Sequence, residues 1–396
     1  MNCKYWTPFL LLLILMACER ITPKSPPDDS LLDGPLDGLN AAQTIQFLNG
    51  DRAFNSEVFT SATGLGPLFV ATSCGSCHAG DGKGHPFSSL IRFGQTDSTG
   101  NRFLANGGPQ LQHRALPGYE PEIVPTGASF AKFTPPANTG LGFLECVSDM
   151  DIMASADPYD LNLDGISGEP NWKKPPSYST IKPNSISKGE LYIHRFGKKA
   201  SAHTLLHQTV NAYNQDMGIT STYEPYDTYS QQKIDAEVSN ATLNDVVFYL
   251  QTLKAPVARN QSDIDVIKGK IAFVSIGCDK CHSSTLKTEF STIEPLSNKT
   301  FHPYTDLLLH DMGPELDDGY TEGSAKTYEW RTPALWGLGL SPNSQGGRYF
   351  LMHDGRASSI SQAIEMHGGE GKKSAINFLN LPESEKKAVL KFLESL

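Results

Sequence analysis

Basic residues are in deficit: 33 Lys and Arg stand against 43 Asp and Glu, a formal net charge of -10 over 396 residues. A surface of that sign offers no general attraction to nucleic acid or anionic lipid, so nucleic acid is not expected as a partner. Long apolar runs are missing as well. The one candidate, Phe9 to Ala17, is too short to span a bilayer as a stable helix. Cysteine is sparse, seven in all, which rules out a disulfide framework as the main support of a chain long enough for two domains with sizeable cores.

Four of those cysteines fall into two copies of one pattern, Cys74-Gly75-Ser76-Cys77-His78 and Cys278-Asp279-Lys280-Cys281-His282. Two thiols separated by two residues, followed at once by histidine, are spaced to form thioethers to the vinyl groups of a haem while the imidazole reaches the iron. A thioredoxin-like pair or a zinc site would also use paired cysteines, but neither requires the adjoining histidine. Two covalently bound haem c groups are expected, with His78 and His282 as iron ligands.

The N-terminus fits export. Lys4 precedes the apolar run, which ends in Leu15-Met16-Ala17-Cys18. Residues 1–17 read as a signal peptide and Cys18 as the lipidated cysteine of a bacterial lipoprotein box. An ordinary cleaved signal with an incidental Cys18 would give the same compartment, outside the cytoplasm, where c-type haem is attached. Cys3 lies in the segment to be removed. Residues 18–40, rich in Pro, Asp and Gly, read as a solvated tether. The protein is therefore expected on the periplasmic or cell-surface side, held to the outer membrane by its lipid.

Apolar spacing predicts a helix, a turn at Asn49-Gly50 and a second short helix across Ala41 to Val58. It also predicts helices around Leu243 to Leu250, over Ile264 to Ile276, over Ile360 to His367 and over Glu383 to Leu396. Pro256 marks a boundary, and the division between halves is set near Arg259. The expected fold is mainly α: two cytochrome-c-like haem domains, 41–259 and 260–396, with long loops.

Between the motifs, Asp157, Asp160, Asn162 and Asp164 precede Gly165 in the manner of the first half of an EF-hand-like calcium loop. The glutamate expected at the twelfth position is absent, since counting from Asp160 it falls on Asn171. A calcium-stabilised loop and an acidic turn without metal both remain open. His203 and His207 would share a helix face, as in some zinc sites, but lack an acidic residue at the second position, so solvated or core roles are expected. His85 and His353 read as turn residues, His113 as a sixth ligand or a surface residue, and Cys146 as a buried inert thiol.

GLGPLFVATSCGSCHAGDGKG in the first half, with RTPALWGLGL, FLMHDGRA and AIEMHGGE in the second, resembles the di-haem oxidoreductase family, also described as peroxidases or thiol oxidoreductases. That family is similar to bacterial di-haem cytochrome c peroxidases and MauG-type enzymes. The resemblance implies Glu145 as the acid-base carboxylate over an open haem face, and His367, rather than its neighbour Met366, as the second ligand to the iron of His282. It implies electrons entering at the C-terminal haem from a small redox protein or cytochrome. Peroxide or another small oxidant would then be reduced at the N-terminal haem. A non-catalytic electron carrier and an oxidase of an organic or thiol substrate are the alternatives. Either Trp330 or Trp336 would serve as a relay between haems or as packing, and His310 as a path residue or a surface one. The family commonly carries tryptophan where this chain has Lys198, so a route through that ring is not carried over.

Overall fold

A computed structural model describes residues 32–396, together with Pro27 and Ser30. Cys18 and the 1–17 segment lie outside the described residues. Residues 32–396 form one compact unit. Among the described residues no helix is long and apolar enough to cross a membrane.

Four long helices carry the frame: α1 (Ala41–Asn55), α2 (Asn240–Thr252), α3 (Ile264–Ser275) and α4 (Glu383–Ser395). Each of the first three starts on a side chain that accepts a hydrogen bond from the first turn, Asn40, Ser239 and Asp263 respectively, which satisfies amides that have no partner inside the helix. The four form two pairs built alike. In the first, α1 packs on α2 so closely at Gly50 that a Cβ there would lie 2.1 Å from the carbonyl oxygen of Asp245. In the second, α3 packs on α4 at Gly269, where a Cβ would lie 1.9 Å from the carbonyl oxygen of Ala388.

One helical turn beyond each glycine sits a buried phenylalanine, Phe54 and Phe273, whose rings stand 5.9 Å from His78 and 6.4 Å from His282. Both Cys-x-x-Cys-His motifs are therefore delivered by the same device. The expected turn at Asn49-Gly50 does not occur, and α1 runs through it. Gly50 is there because the partner backbone occupies the space a side chain would need. Apolar spacing misled in part as well, since Phe47 and Phe54 are buried whereas Ile45 and Leu48 are exposed.

The expectation of a mainly α chain made of two cytochrome-c-like domains is corrected. The chain is 33% helical with 12% strand, and the described strands form small antiparallel ribbons and one three-stranded sheet. Leu90–Phe93 pairs with Phe130–Phe133, Leu309–Asp311 with Glu329–Arg331, and Leu191–His194 lies between Asn171–Lys173 and Ser187–Lys188. Thirty-five glycines and 26 prolines keep helices out of the long connections, and short ribbons satisfy the backbone there instead. The hydrophobic cluster around α1 and α2 also takes in Leu286, Phe301, Leu307 and Leu308 from beyond the second motif.

Nor is the 18–40 stretch solvated along its whole length. Leu32 and Leu36 are buried, Leu36 N–H donates to the carbonyl of Thr252 (2.8 Å) and Lys254 N–H to that of Gly34 (3.0 Å). The apolar residues of 32–36 find a partner in the end of α2.

Gly269→Ala tests the helix crossing. Alanine is the better helix former by roughly 1 kcal/mol, yet overpacking should leave the variant about 1–3 kcal/mol less stable by denaturant unfolding. Lys268→Ala, on the exposed side of the same helix, should be within about 0.5 kcal/mol of the parent.

Candidate functional site

The two motifs fold identically at their core. His78 N–H donates to the carbonyl of Cys74 and His282 N–H to that of Cys278, both at 3.0 Å. This tight turn brings the two thiols and the imidazole of each motif to one side. All six residues line a cavity of about 380 Å³ that reaches from the first motif to the second. Its walls include Leu144, Val246 and Leu250 at one end and Phe273, Ile360 and Leu393 at the other.

Five histidines line that cavity: His78, His282, His310, His353 and His367. Three share one arrangement. The Nδ1 of His78 faces the carbonyl of Pro136 (3.0 Å), that of His282 the carbonyl of Tyr304 (3.0 Å) and that of His367 the carbonyl of Ala363 (2.7 Å). A carbonyl only accepts, so Nδ1 carries the proton and Nε2 keeps its lone pair, the tautomer a metal needs. Burial lowers all three, His78 and His282 to about 4, so they are neutral at physiological pH. His282 also senses His367. Met366 is packed in the hydrophobic cluster of α3 and α4 and is absent from the cavity wall.

The other two histidines are committed. His310 is buried between Asp306 (Nε2 to Oδ2, 2.8 Å) and Glu370 (Nδ1 to Oε2, 2.7 Å), which hold it protonated well above the usual imidazole range against the cost of burial. It is not the surface residue that economy suggested. His353 stacks on Trp330 at 3.7 Å and bonds Asp318 through Nε2 (2.8 Å). His113 and His85 are not in the wall, and His85 accepts from Phe87 N–H. His203 and His207 are buried core residues beside His194.

Burial pushes the Cys74 and Cys278 thiols up to about 12 and Cys77 to about 11, and raises Cys281. A redox dithiol or thiolate metal site would need the reverse. The donor set fits haem: paired neutral thiols, a ligand-ready imidazole beside each pair, and apolar walls.

Glu145 is not in that wall. Its Oε1 accepts the Leu205 backbone N–H (2.6 Å) and its Oε2 the Gln251 side-chain amide (2.7 Å), so the carboxylate fastens the Leu205–Asn211 helix to α2. Asp216, which the sequence did not single out, does line the cavity. It ends a π-turn, Ala212–Asp216, a distortion common at functional sites. Val70 and Ala71 N–H groups hold its carbonyl (2.6 and 3.1 Å). Burial raises its carboxyl to about 7, opposed by Arg92.

The acids of the 157–165 loop are turned onto the loop's own backbone. Asp157 accepts from Leu161 and Asn162 N–H, Asp160 from Asp164 and Gly165 N–H, and Asn162 from Asp164 N–H. Asp164 pairs with Lys280 of the second motif (2.9 Å). Among the described residues these acids do not gather their oxygens at one point, whereas Cys281, Asp306 and His310 bring a sulfur, an oxygen and a nitrogen together. Trp330 and Trp336 both line the cavity.

The sequence pattern of the family described as "Di-haem oxidoreductase, putative peroxidase" matches residues 131–396, and the chain belongs to that family. Membership implies haem cofactors and an oxidoreductase. No curated protein matches the chain significantly. Among solved structures, the hydrazine synthase of Kuenenia stuttgartiensis, pressurised with xenon, is 12% identical over 95% of this chain and 94% of its own, with a TM-score of 0.39. A likeness that distant carries no argument about activity.

Glu145→Ala removes the acceptor for two donors. Leaving the Leu205 amide and Gln251 unpaired should cost about 1–3 kcal/mol in thermal or denaturant unfolding.

Proposed function

We propose that this chain is an exported di-haem c-type cytochrome acting as a peroxidase-like oxidoreductase. What supports the reading is the unequal supply of ligand-ready imidazoles: two, His282 and His367, beside the second thiol pair and one, His78, beside the first. Cys74 and Cys77 would hold one haem through thioethers, and Cys278 and Cys281 the other. Bound there, haem supplies one-electron chemistry, an iron closed by two imidazoles being suited to passing electrons and one with a free position to meeting a small oxidant such as peroxide.

The chain's own residues do the orienting. The Pro136, Tyr304 and Ala363 carbonyls fix the imidazole tautomers. Asp216 takes the acid-base role that Glu145 does not fill: its carboxyl, protonated below about pH 7 and ionised above, can accept and return a proton beside the first motif. Electrons would enter through the C-terminal half from a small redox protein or cytochrome, and two storage sites suit a two-electron reduction served by one-electron donors. Export and attachment to the outer membrane through Cys18 rest on the sequence. The 157–165 loop needs no calcium in this reading, since its carboxylates already serve amides and Lys280.

Low-temperature EPR of the oxidised protein should show one high-spin and one low-spin ferric haem. Two low-spin signals with no response to peroxide would leave an electron carrier and reject the enzyme.

Asp216→Asn should slow peroxide turnover by about 10²- to 10⁴-fold with haem content unchanged, and remove the inflection near pH 7 from the rate profile. Stability offers a second readout. The carboxyl is raised above its unfolded value of 3.8, so its ionisation opposes folding increasingly as pH rises from about 4 to about 7. The advantage of Asn over Asp in unfolding should therefore grow across that window and level off above it.

A further inference from the structure

The reading above leaves three half-buried cations unused. Lys83, Lys198 and Arg331 all line the shared cavity. Arg331 and Lys198 are fastened side by side, the Arg331 N–H donating to the Lys198 carbonyl (3.0 Å). Arg331 gives Nε to the carbonyl of Gly197 (2.9 Å) and Nη1 to that of Thr332 (3.0 Å), while Lys198 Nζ reaches only Thr134 Oγ1 (3.3 Å). The backbone of Lys83 is held by Ser344, whose hydroxyl donates to its carbonyl (2.9 Å).

Among the described residues, none of the three forms an ion pair. The nearby acids are already engaged: Asp354, which Lys198 senses, is paired with Arg356 (2.7 Å), and Asp306, which Arg331 senses, is paired with His310 (2.8 Å). Two other arginines are treated differently, Arg195 meeting Asp149 and Arg92 meeting Glu322 (2.6 Å). Burial lowers Lys83 to about 8 and Arg331 to about 10. Lys198 falls to about 7, through burial first and then repulsion from Lys83 and Arg331. Clustered cations removed from water are costly unless an anion meets them, and guanidinium with ammonium groups is the donor set that receives carboxylates.

We infer that Lys83, Lys198 and Arg331 form a carboxylate-binding site in the wall of the cavity. The inference rests on the di-haem reading. Two sources share the chemistry: the propionate side chains that every haem carries, and a carboxylate arriving from solution.

The test uses the holoprotein, with haem on each motif established by mass, and reads the midpoint potential of each haem by spectroelectrochemistry. For a propionate, Lys198→Met and Lys83→Met should each lower one midpoint. Losing a positive charge favours the ferric state, and a tenfold change in the reduction equilibrium reads as about 59 mV for one electron. Lys198→Arg, which keeps the charge, should restore the parent value.

For a carboxylate from solution, sodium acetate should shift the parent's Soret band or midpoint, Lys198→Met should abolish that response, and midpoints without acetate should be equal. If Lys198→Met alone fails to take up haem while Lys198→Arg is loaded, the charge requirement also stands. Parent-like midpoints in both methionine variants, with no acetate response, overturn the site. A parent protein without haem mass overturns the di-haem reading instead, and the mass measurement reports that separately.

Discussion

An imidazole can present Nε2 to a metal only when its Nδ1 proton has somewhere else to go. The chain solves this three times in one cavity, with the carbonyls of Pro136, Tyr304 and Ala363. Those carbonyls come from segments far apart in sequence, so the cavity exists only if the connections between the long helices are themselves ordered. The short ribbons and the buried His310, held between Asp306 and Glu370, supply that order. Burial keeps the three imidazoles neutral, with Nε2 free to meet a metal, and holds the four thiols protonated.

The two helix pairs repeat one construction. A glycine at the crossing lets backbones touch, a phenylalanine one turn later reaches the motif histidine, and the thiol pair follows. Likeness in construction is joined to difference in chemistry. The second site gains His367 from the segment after the Ile360–Glu365 helix, whereas the first gains Asp216 from a π-turn. Equivalent frames thus hold unequal sites, and that inequality is what a division between electron storage and oxidant chemistry requires.

Charge inside the cavity is arranged with the same economy. Arg195 is neutralised by Asp149 of the protein, whereas Lys83, Lys198 and Arg331 are left to an anion. Glu145 shows the opposite outcome. A carboxylate that looked catalytic by resemblance is used up in joining the Leu205–Asn211 helix to α2, and another acid, Asp216, lines the space instead.

The sequence by itself determined the family and picked out the two Cys-x-x-Cys-His motifs and His367 as candidates, because adjacency and fixed spacing are local and survive any folding. It also located α2, α3 and α4, whose apolar periodicity is read within a few turns, whereas α1 read as two helices broken at Asn49-Gly50. Only tertiary structure decided the mixed fold, the packing of 32–36, the meaning of Gly50 and Gly269, and that Asp216 rather than Glu145 lines the cavity. Each depends on which distant backbone or side chain arrives at a given point: a glycine reads as a turn until a neighbouring carbonyl takes the place of its side chain, and a carboxylate reads as catalytic until two donors claim its oxygens.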